Sequence, residues 1–280
     1  MQHVAIIGAG ELGGAAAHLL ARHDLVRSIT LVDETGRVAA GKALDIAQAA
    51  PIEGFATELS GSNDVSRAAG AEIVVVADRA VGGEWQGEDG LLLLKRLTET
   101  ASGAVIVCAG ATHCELVERG VRELRYMRAR LFGSAPEALA GGARALVALA
   151  VDGSPRDVAL SVLGVPPHHT VIPWADATFA GFELTRLVDE PSRRRLAARV
   201  AALWPPGPYA LATAATMVIE AMVGRSRRIA GCFVAPDTAA AGQRRTAALP
   251  VRLGPDGIVN ILLPSLSEAE QVALDNAMQL

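Results

Sequence analysis

Residues 4–36 read VAIIGAGELGGAAAHLLARHDLVRSITLVDETG, and this stretch decides the fold. A β-branched run at 4–7 meets the glycine turn GAGELG at 8–13, which is followed by a segment suited to a helix. A second apolar run ends in Asp33, about twenty residues after the turn. Strand, glycine turn, helix, strand and acid in this order form the dinucleotide-binding fingerprint. The stretch therefore predicts nucleotide binding; the alternative is a βαβ unit with a purely structural role.

The residue types of the fingerprint indicate which nucleotide binds. Gly8 permits a tight turn, Gly10 lets backbone N–H groups approach a pyrophosphate, and Gly13 lets the helix pack closely on the strand. The Asp33 carboxylate would accept hydrogen bonds from the adenosine ribose and repel a 2′-phosphate, which favours NAD over NADP. With the ends of the third and fourth predicted strands added, the predicted cofactor-binding residues are Gly8, Gly10, Glu11, Leu12, Gly13, Asp33, Ala77 and Ala109.

Composition excludes several classes of protein. A chain of 280 residues that is 51% hydrophobic can bury a large core and is long enough for two domains. A net charge of −4 gives no bias toward nucleic acid or an anionic membrane, so neither is expected as a partner. The first predicted strand leaves no room for a signal peptide, and Cys108, Cys114 and Cys232 form no disulfide framework. We expect a cytoplasmic protein that acts on a small molecule.

The first half alternates strand and helix patterns. Strands are predicted at 3–7, 28–33, 72–77 and 104–108, and helices at 11–23, 37–49, 63–69 and 88–101. Short strands separated by helices indicate a doubly wound parallel sheet with its ligand at the carboxyl ends of the strands. The glycine-rich loop at 82–87 is either a mobile lid or a simple connection.

The second half has a different pattern. Helices are predicted at 136–150, 191–203, 210–222 and 267–278, and strands at 158–163, 229–234, 249–253 and 257–263. Ser267 and Glu270 have the spacing of a capping box at the start of the last helix. We predict a dinucleotide-binding domain at 1–133 and an α+β substrate domain at 134–280.

Four segments resemble lactate and malate dehydrogenases in the same order along the chain. They are LVDETGRVAAGKALDIAQAAPI (31–52), GSNDVSRAAGAEIVVVADRA (61–80), GPYALATAATMVIEAMV (207–223) and LPVRLGPDGIVNILLPSLSEAE (249–270). The resemblance implies an N-terminal Rossmann domain, a C-terminal α+β domain of the lactate/malate dehydrogenase type, and NAD as cofactor. It also implies reversible oxidation of a 2-hydroxy acid and, by analogy, a homodimer or higher homo-oligomer.

The catalytic positions depart from that family. Its LDxxR helix motif supplies a carboxylate and a substrate-binding arginine, and the matching segment EALAGGAR (137–144) has Leu139 and Gly142 there. Its GxHGD turn supplies the catalytic histidine, and the matching turn has Pro166 and Pro167. Reduction of a 2-keto acid needs a proton donor and a cation that grips the carboxylate. We therefore expect a degenerate active site and a substrate other than simple lactate or malate.

Three histidines are candidate functional groups. His168 and His169 lie in the loop that matches the family's histidine turn and are the candidate acid/base residues; alternatively, they are only polar loop residues. His113, beside Cys114, has no second ligand pair, so we expect a solvated loop histidine and no metal site.

The sequence leaves two candidate functions for the protein. One is an NAD-dependent oxidoreductase acting on a CH–OH or carbonyl substrate, and the other is a catalytically inactive NAD-binding sensor or interaction protein.

Overall fold

The computed structural model describes residues 3–237 and 245–279. The first half contains β1 (His3–Ile7), α1 (Glu11–Arg22), β2 (Ser28–Val32), α2 (Gly36–Glu53), β3 (Glu58–Ser62), β4 (Ile73–Val76), β5 (Asp78–Arg79), β6 (Gly83–Glu84), α3 (Gly87–Thr100), β7 (Val105–Cys108), α4 (Cys114–Glu123) and β8 (Leu131–Gly133). Strand and helix alternate as predicted from β1 to β3 and from α3 to β8, whereas β3 to β6 follow one another with only a 3₁₀ turn (Val65–Ala68) between β3 and β4.

The second half begins with a long helix and ends with antiparallel strands. It contains α5 (Ala135–Ala150), β9 (Val158–Ala159), β10 (Leu163–Val165), β11 (His169–Val171), β12 (Thr178–Phe179), β13 (Phe182–Glu183), α6 (Leu184–Leu187), α7 (Glu190–Ala201), α8 (Pro208–Met222), β14 (Ala230–Val234), β15 (Ala247–Gly254), β16 (Gly257–Ile261) and α9 (Glu268–Gln279). The predicted domain boundary falls in the turn between β8 and α5. No described helix is long and apolar enough to cross a membrane.

One eleven-stranded sheet joins the two halves. Its parallel part has the order β8-β7-β4-β1-β2-β3, and β14 continues it antiparallel beside β8. The chain order reverses between β1 and β4, which are parallel neighbours. In doubly wound sheets ligands bind outside the carboxyl ends of the strands at such a switch point. The predicted α/β fold class is confirmed, and the topology places the candidate site at the ends of β1 and β4.

Apolar runs explain the central strands and the helices that cover them. Every residue of β4 and β7 is buried, as expected for strands covered by helices on both faces. On α1, Leu12, Ala16 and Leu20 repeat at helical spacing and face the core. The capping box predicted for α9 is confirmed, because Ser267 N–H donates to Glu270 Oε2 at 2.8 Å. In these elements the residues that the sequence pattern predicts to be buried are the ones that the folded protein buries.

Several element predictions were wrong. The helix predicted at 63–69 is a short 3₁₀ turn at Val65–Ala68. Asp64 caps its start by accepting from Ser66 N–H, and the turn ends because Ala69 is extended (ψ 132°) and Gly70 has φ +76°. The strand predicted at 158–163 is divided between β9 and β10, which join two different sheets. The sequence prediction missed β3, β8 and α4. β3 is a polar sheet edge without a clear apolar pattern. α4 does have one, since Leu116, Val117, Gly120 and Val121 repeat at helical spacing among charged residues, and the sequence prediction overlooked it.

The packing of α2 on β3 generates a stability prediction. A Cβ on Gly61 would lie 2.3 Å from backbone atoms of Ala39 and Ala40 in α2, whereas a Cβ on Gly41 would meet open space. Gly61→Ala should therefore destabilise the protein by about 1–3 kcal/mol through overpacking. Gly41→Ala adds the same atoms and should stabilise α2 by about 0.5–1 kcal/mol. Urea denaturation measures both, and a Gly61→Ala protein as stable as wild type would contradict this packing.

Candidate functional site

The turn between β1 and α1 forms the floor of the cleft at the switch point. Gly8 has φ +114°, a conformation that favours glycine, and a Cβ there would lie 2.3 Å from the carbonyl oxygen of Asp78. Gly8 N–H donates to Val32 O at 2.7 Å, and Gly10 N–H donates to Asp78 O at 2.9 Å. The turn is thus held between the ends of β2 and β4.

The first turn of α1 presents backbone N–H groups that bind an anion. Leu12 N–H donates to Asp78 Oδ2 at 3.2 Å, and Gly13 N–H donates to Asp78 Oδ1 at 2.9 Å. A helix N-terminus favours anions through its free N–H groups and its dipole. Lys42 Nζ donates to the carbonyl of Gly10 and places a cation beside this turn. Carboxylate and phosphate are both oxyanions, so the donor set fits the phosphate oxygens of a dinucleotide.

Asp33 is buried, and its carboxylate accepts three backbone hydrogen bonds. Oδ2 accepts from Ala9 N and Ala80 N, and Oδ1 accepts from Thr35 N, each at 2.8 Å. These donors lie in the β1–α1 turn, the start of α2 and the segment after β5. A carboxylate offers about four acceptor positions, so one remains for a ribose hydroxyl. The role predicted for Asp33 toward the ribose stays a prediction.

Glu84 makes a matching set of contacts on the other side of the cleft. Its Oε1 accepts from Ala111 N at 2.9 Å, and its Oε2 accepts from Thr112 N at 2.8 Å and from the Thr112 hydroxyl at 2.5 Å. Asp78 and Glu84 are directly opposite each other in the antiparallel β5–β6 pair. The loop at 82–87 is therefore part of a hairpin followed by the start of α3. The sequence prediction missed both carboxylates, although Asp78 stands near the carboxyl end of β4, where ligand-binding residues collect.

The expectation that His113 is a solvated loop histidine was wrong. The side chain is fully buried, Nδ1 accepts from Gly110 N at 3.0 Å, and Nε2 has no partner among the described residues. Burial lowers the pKa of His113 to about 4, and the charges of Glu84 and Asp78 oppose that shift. The ring is neutral at pH 7, with its proton on Nε2, since Nδ1 accepts. Within the described chain, no group of three His, Cys, Asp or Glu residues could hold a metal ion.

The remaining predicted cofactor residues lie around the same cleft. Ala77 and Ala109 are buried at the ends of β4 and β7, and their N–H groups donate to Ile7 O and Val76 O. Glu11 is exposed at the start of α1. Cys108, beside Ala109, is fully buried, and burial raises the pKa of its thiol to about 12. This thiol is therefore a packing group at pH 7, not a nucleophile.

Apolar packing fills the positions where a 2-hydroxy acid dehydrogenase would hold its charged pair. Leu139 is 1% exposed and belongs to an apolar cluster with Val162 and Leu184. A Cβ on Gly142 would lie 2.7 Å from Leu203 Cδ1, so Leu203 covers this position. The charged residues of α5, Glu137 and Arg144, pair with each other instead. Neither partner of the expected carboxylate–arginine pair is present at these two positions.

His168 and His169 lie in the hairpin between β10 and β11. Both are exposed, and neither ring makes a hydrogen bond or ion pair with a described residue. A cavity of about 1240 Å³ lies in this half of the chain, lined by residues that include Glu137, Arg144 and Arg228, but not by either histidine. The structure does not bring the histidine pair into contact with a carboxylate that would orient it.

The low pKa of His113 generates a prediction about acid stability. Between pH 6.5 and pH 4 the unfolded chain binds a proton that the folded chain does not, so the free energy of unfolding falls as pH falls through this window. From pH 7 to pH 5, His113→Gln should lose about 2 kcal/mol less stability than wild type. His168→Gln, at an exposed histidine without a partner among the described residues, should follow wild type. Urea denaturation at both pH values measures this, and parallel losses in all three proteins would contradict the burial of His113.

Comparisons with known proteins agree with this geometry. Residues 2–88 match the family model described as lactate/malate dehydrogenase, NAD binding domain. Malate dehydrogenase of Thermomicrobium roseum is 28% identical over 97% of this chain and 93% of its own. Malate dehydrogenase of Desulforudis audaxviator is also 28% identical, over 98% of this chain and 94% of its own.

Solved structures show the same fold. Malate dehydrogenase of Salinibacter ruber superimposes with a TM-score of 0.88 at 23% identity, over 98% of this chain and 93% of that one. Malate dehydrogenase of Aeropyrum pernix gives the same TM-score at 22% identity. The match to the NAD-binding model, the nearly full-length relatives and the fold agree with the segments that carried the resemblance. Together these findings support membership of the lactate/malate dehydrogenase family.

Proposed function

We propose that this chain is an NAD(H)-dependent oxidoreductase that acts on a carbonyl or alcohol substrate other than simple lactate or malate. One observation carries the cofactor part of the proposal: the N–H groups of Leu12 and Gly13 already bind an oxyanion, the carboxylate of Asp78. The same donors suit a dinucleotide diphosphate. When bound, NAD(H) would exchange a hydride with the carbon of the substrate.

The preference for NAD over NADP rests on Asp33. Its carboxylate is fixed by three backbone donors, so it cannot easily turn away from a ligand in the cleft. A fixed negative charge at the ribose repels a 2′-phosphate and leaves one acceptor position for a hydroxyl. Gly8, Gly10, Glu11, Leu12, Gly13, Ala77 and Ala109 would complete the cofactor site.

The substrate part of the proposal rests on Leu139 and Gly142. Both positions lie in apolar packing, which favours a substrate without the carboxylate that the family's arginine would bind. His168 and His169 are the proposed acid/base residues, because they follow the turn that matches the family's histidine turn and imidazole titrates near neutral pH. Residues 134–280 would form the substrate domain, and a homodimer or larger homo-oligomer is proposed by analogy.

A catalytically inactive NAD-binding sensor or interaction protein is the second candidate. The same features support it: the apolar positions 139 and 142, and a histidine pair without an orienting carboxylate among the described residues. The two candidates share the cofactor cleft and differ in turnover. Assays of binding and of NADH oxidation therefore separate them.

We expect NADH to bind at least about tenfold more tightly than NADPH, because the Asp33 carboxylate opposes the 2′-phosphate. Asp33→Asn should narrow this difference, whereas Glu34→Gln removes a neighbouring exposed charge and should keep it. Isothermal titration calorimetry of each protein with both nucleotides measures the ratio. Equal affinities in wild type would contradict the role of Asp33, and the absence of binding by either nucleotide would contradict the cofactor.

We expect negligible reduction of oxaloacetate or pyruvate. Loss of the arginine–carboxylate contact together with the oriented acid should raise the barrier by about 4 kcal/mol or more, roughly a thousandfold in kcat/KM. The assay follows NADH absorbance with these two acids and with a panel of ketones and aldehydes that lack a carboxylate, after NADH binding has been confirmed on the same sample. Robust turnover of either acid would contradict the substrate proposal. Oxidation of NADH by a panel member, lost in a His168→Gln/His169→Gln variant, would favour the enzyme over the inactive protein.

A further inference from the structure

The hairpin at residues 78–84 lies across the cleft where the cofactor would bind. It leaves the end of β4, next to the point where the order of strands reverses, and returns antiparallel through β6. Its Asp78 contacts the first turn of α1 on one side, and its Glu84 contacts the β7–α4 turn on the other. One short hairpin therefore bridges the two turns that border the cleft.

The two carboxylates of the hairpin indicate that the contacts of Asp78 and Glu84 with the neighbouring turns hold the hairpin in place. Directly opposed like charges destabilise an antiparallel pair, and Asp78 and Glu84 form such a pair. Each carboxylate is compensated by backbone N–H donors: Leu12 and Gly13 for Asp78, and Ala111 and Thr112 for Glu84. Without those donors, nothing would offset the repulsion between the carboxylates of Asp78 and Glu84.

Further contacts hold the segment closed. The Arg79 guanidinium lies over the Trp85 ring, 4.7 Å from its centroid, and donates to Gly82 O at 3.1 Å. Ala80 N–H donates to Asp33 Oδ2, so the hairpin engages the predicted ribose acid as well as the diphosphate donors. The closed hairpin thus uses two of the contact points that a bound dinucleotide would need.

We propose that Asp78 is an internal competitor of the cofactor diphosphate and that the 78–84 hairpin is an autoinhibitory clasp over the NAD site. The inference rests on the proposed cofactor. The N–H groups of Leu12 and Gly13 cannot serve the carboxylate and a phosphate at the same time, and a carboxylate in this position repels a diphosphate. The dinucleotide therefore binds only after Asp78 has left the α1 turn. The observed affinity is reduced by the fraction of molecules in which the clasp is open.

The test compares NADH affinity in four full-length proteins: wild type, Asp78→Ala, Asp78→Asn and Asp89→Asn. Asp78→Ala removes the competing oxyanion, and Asp78→Asn keeps the size but not the charge. Asp89, exposed in the first turn of α3, provides a control with the same change in net charge. Circular dichroism establishes that each protein is folded, and calorimetry gives each Kd for NADH.

We expect Asp78→Ala to bind NADH about tenfold or more tightly than wild type, Asp78→Asn to fall between them, and Asp89→Asn to equal wild type. If all four folded proteins bind NADH with similar Kd, the cofactor stands and the clasp is overturned. An equal gain in Asp89→Asn would also overturn it, because the effect would then be one of net charge. If no folded protein binds NADH at millimolar concentration, the proposed cofactor fails and the clasp fails with it.

Discussion

The buried carboxylate of Asp33 is the interaction on which the cleft depends. Three backbone N–H groups converge on it: one from Thr35, two residues further along the chain, and two from distant segments, Ala9 in the β1–α1 turn and Ala80 after β5. A carboxylate is excluded from an apolar interior unless its charge is compensated, and here the chain supplies three donors at 2.8 Å. The same contacts that compensate the buried charge of Asp33 also set the relative positions of the segments that border the cleft.

Backbone amides without a partner inside their own turn explain much of the rest of the site. The first turn of α1 has no side-chain cap at Gly10, so its free N–H groups need an acceptor from elsewhere, and Asp78 supplies it. Glu84 does the same for the turn before α4. His113 follows that turn, and its buried Nε2–H has no partner among the described residues. The free N–H groups at the two turns thus donate to carboxylates of the 78–84 hairpin.

In the second half, the charged residues of α5 form a network with one another and with the backbone of neighbouring segments. Glu137 and Arg144 pair on α5, with Glu137 Oε2 also accepting from Gly231 N at 2.8 Å and Arg144 donating to Leu160 O at 3.2 Å. This network ties α5 to β14 and to the segment before β10. Leu139 and Gly142 pack against aliphatic side chains instead. The charged side chains of α5 therefore bind each other and the backbone, and the two positions between them contact apolar side chains.

The sequence by itself determined the βαβ start, the helices with a clear apolar face and the capping box of α9, because their patterns lie within a few residues. It also indicated the parallel sheet, because short apolar strands alternate with helices along the first half. It also marked residues 139, 142, 166 and 167 as departures from the family. Tertiary structure decided the rest. The Asp78 carboxylate meets α1 across 65 residues of chain, and no local pattern records that contact. The burial of His113 and the edge strand β3 were missed for the same reason, since burial and strand pairing are set by distant segments whose arrangement exists only in the folded chain.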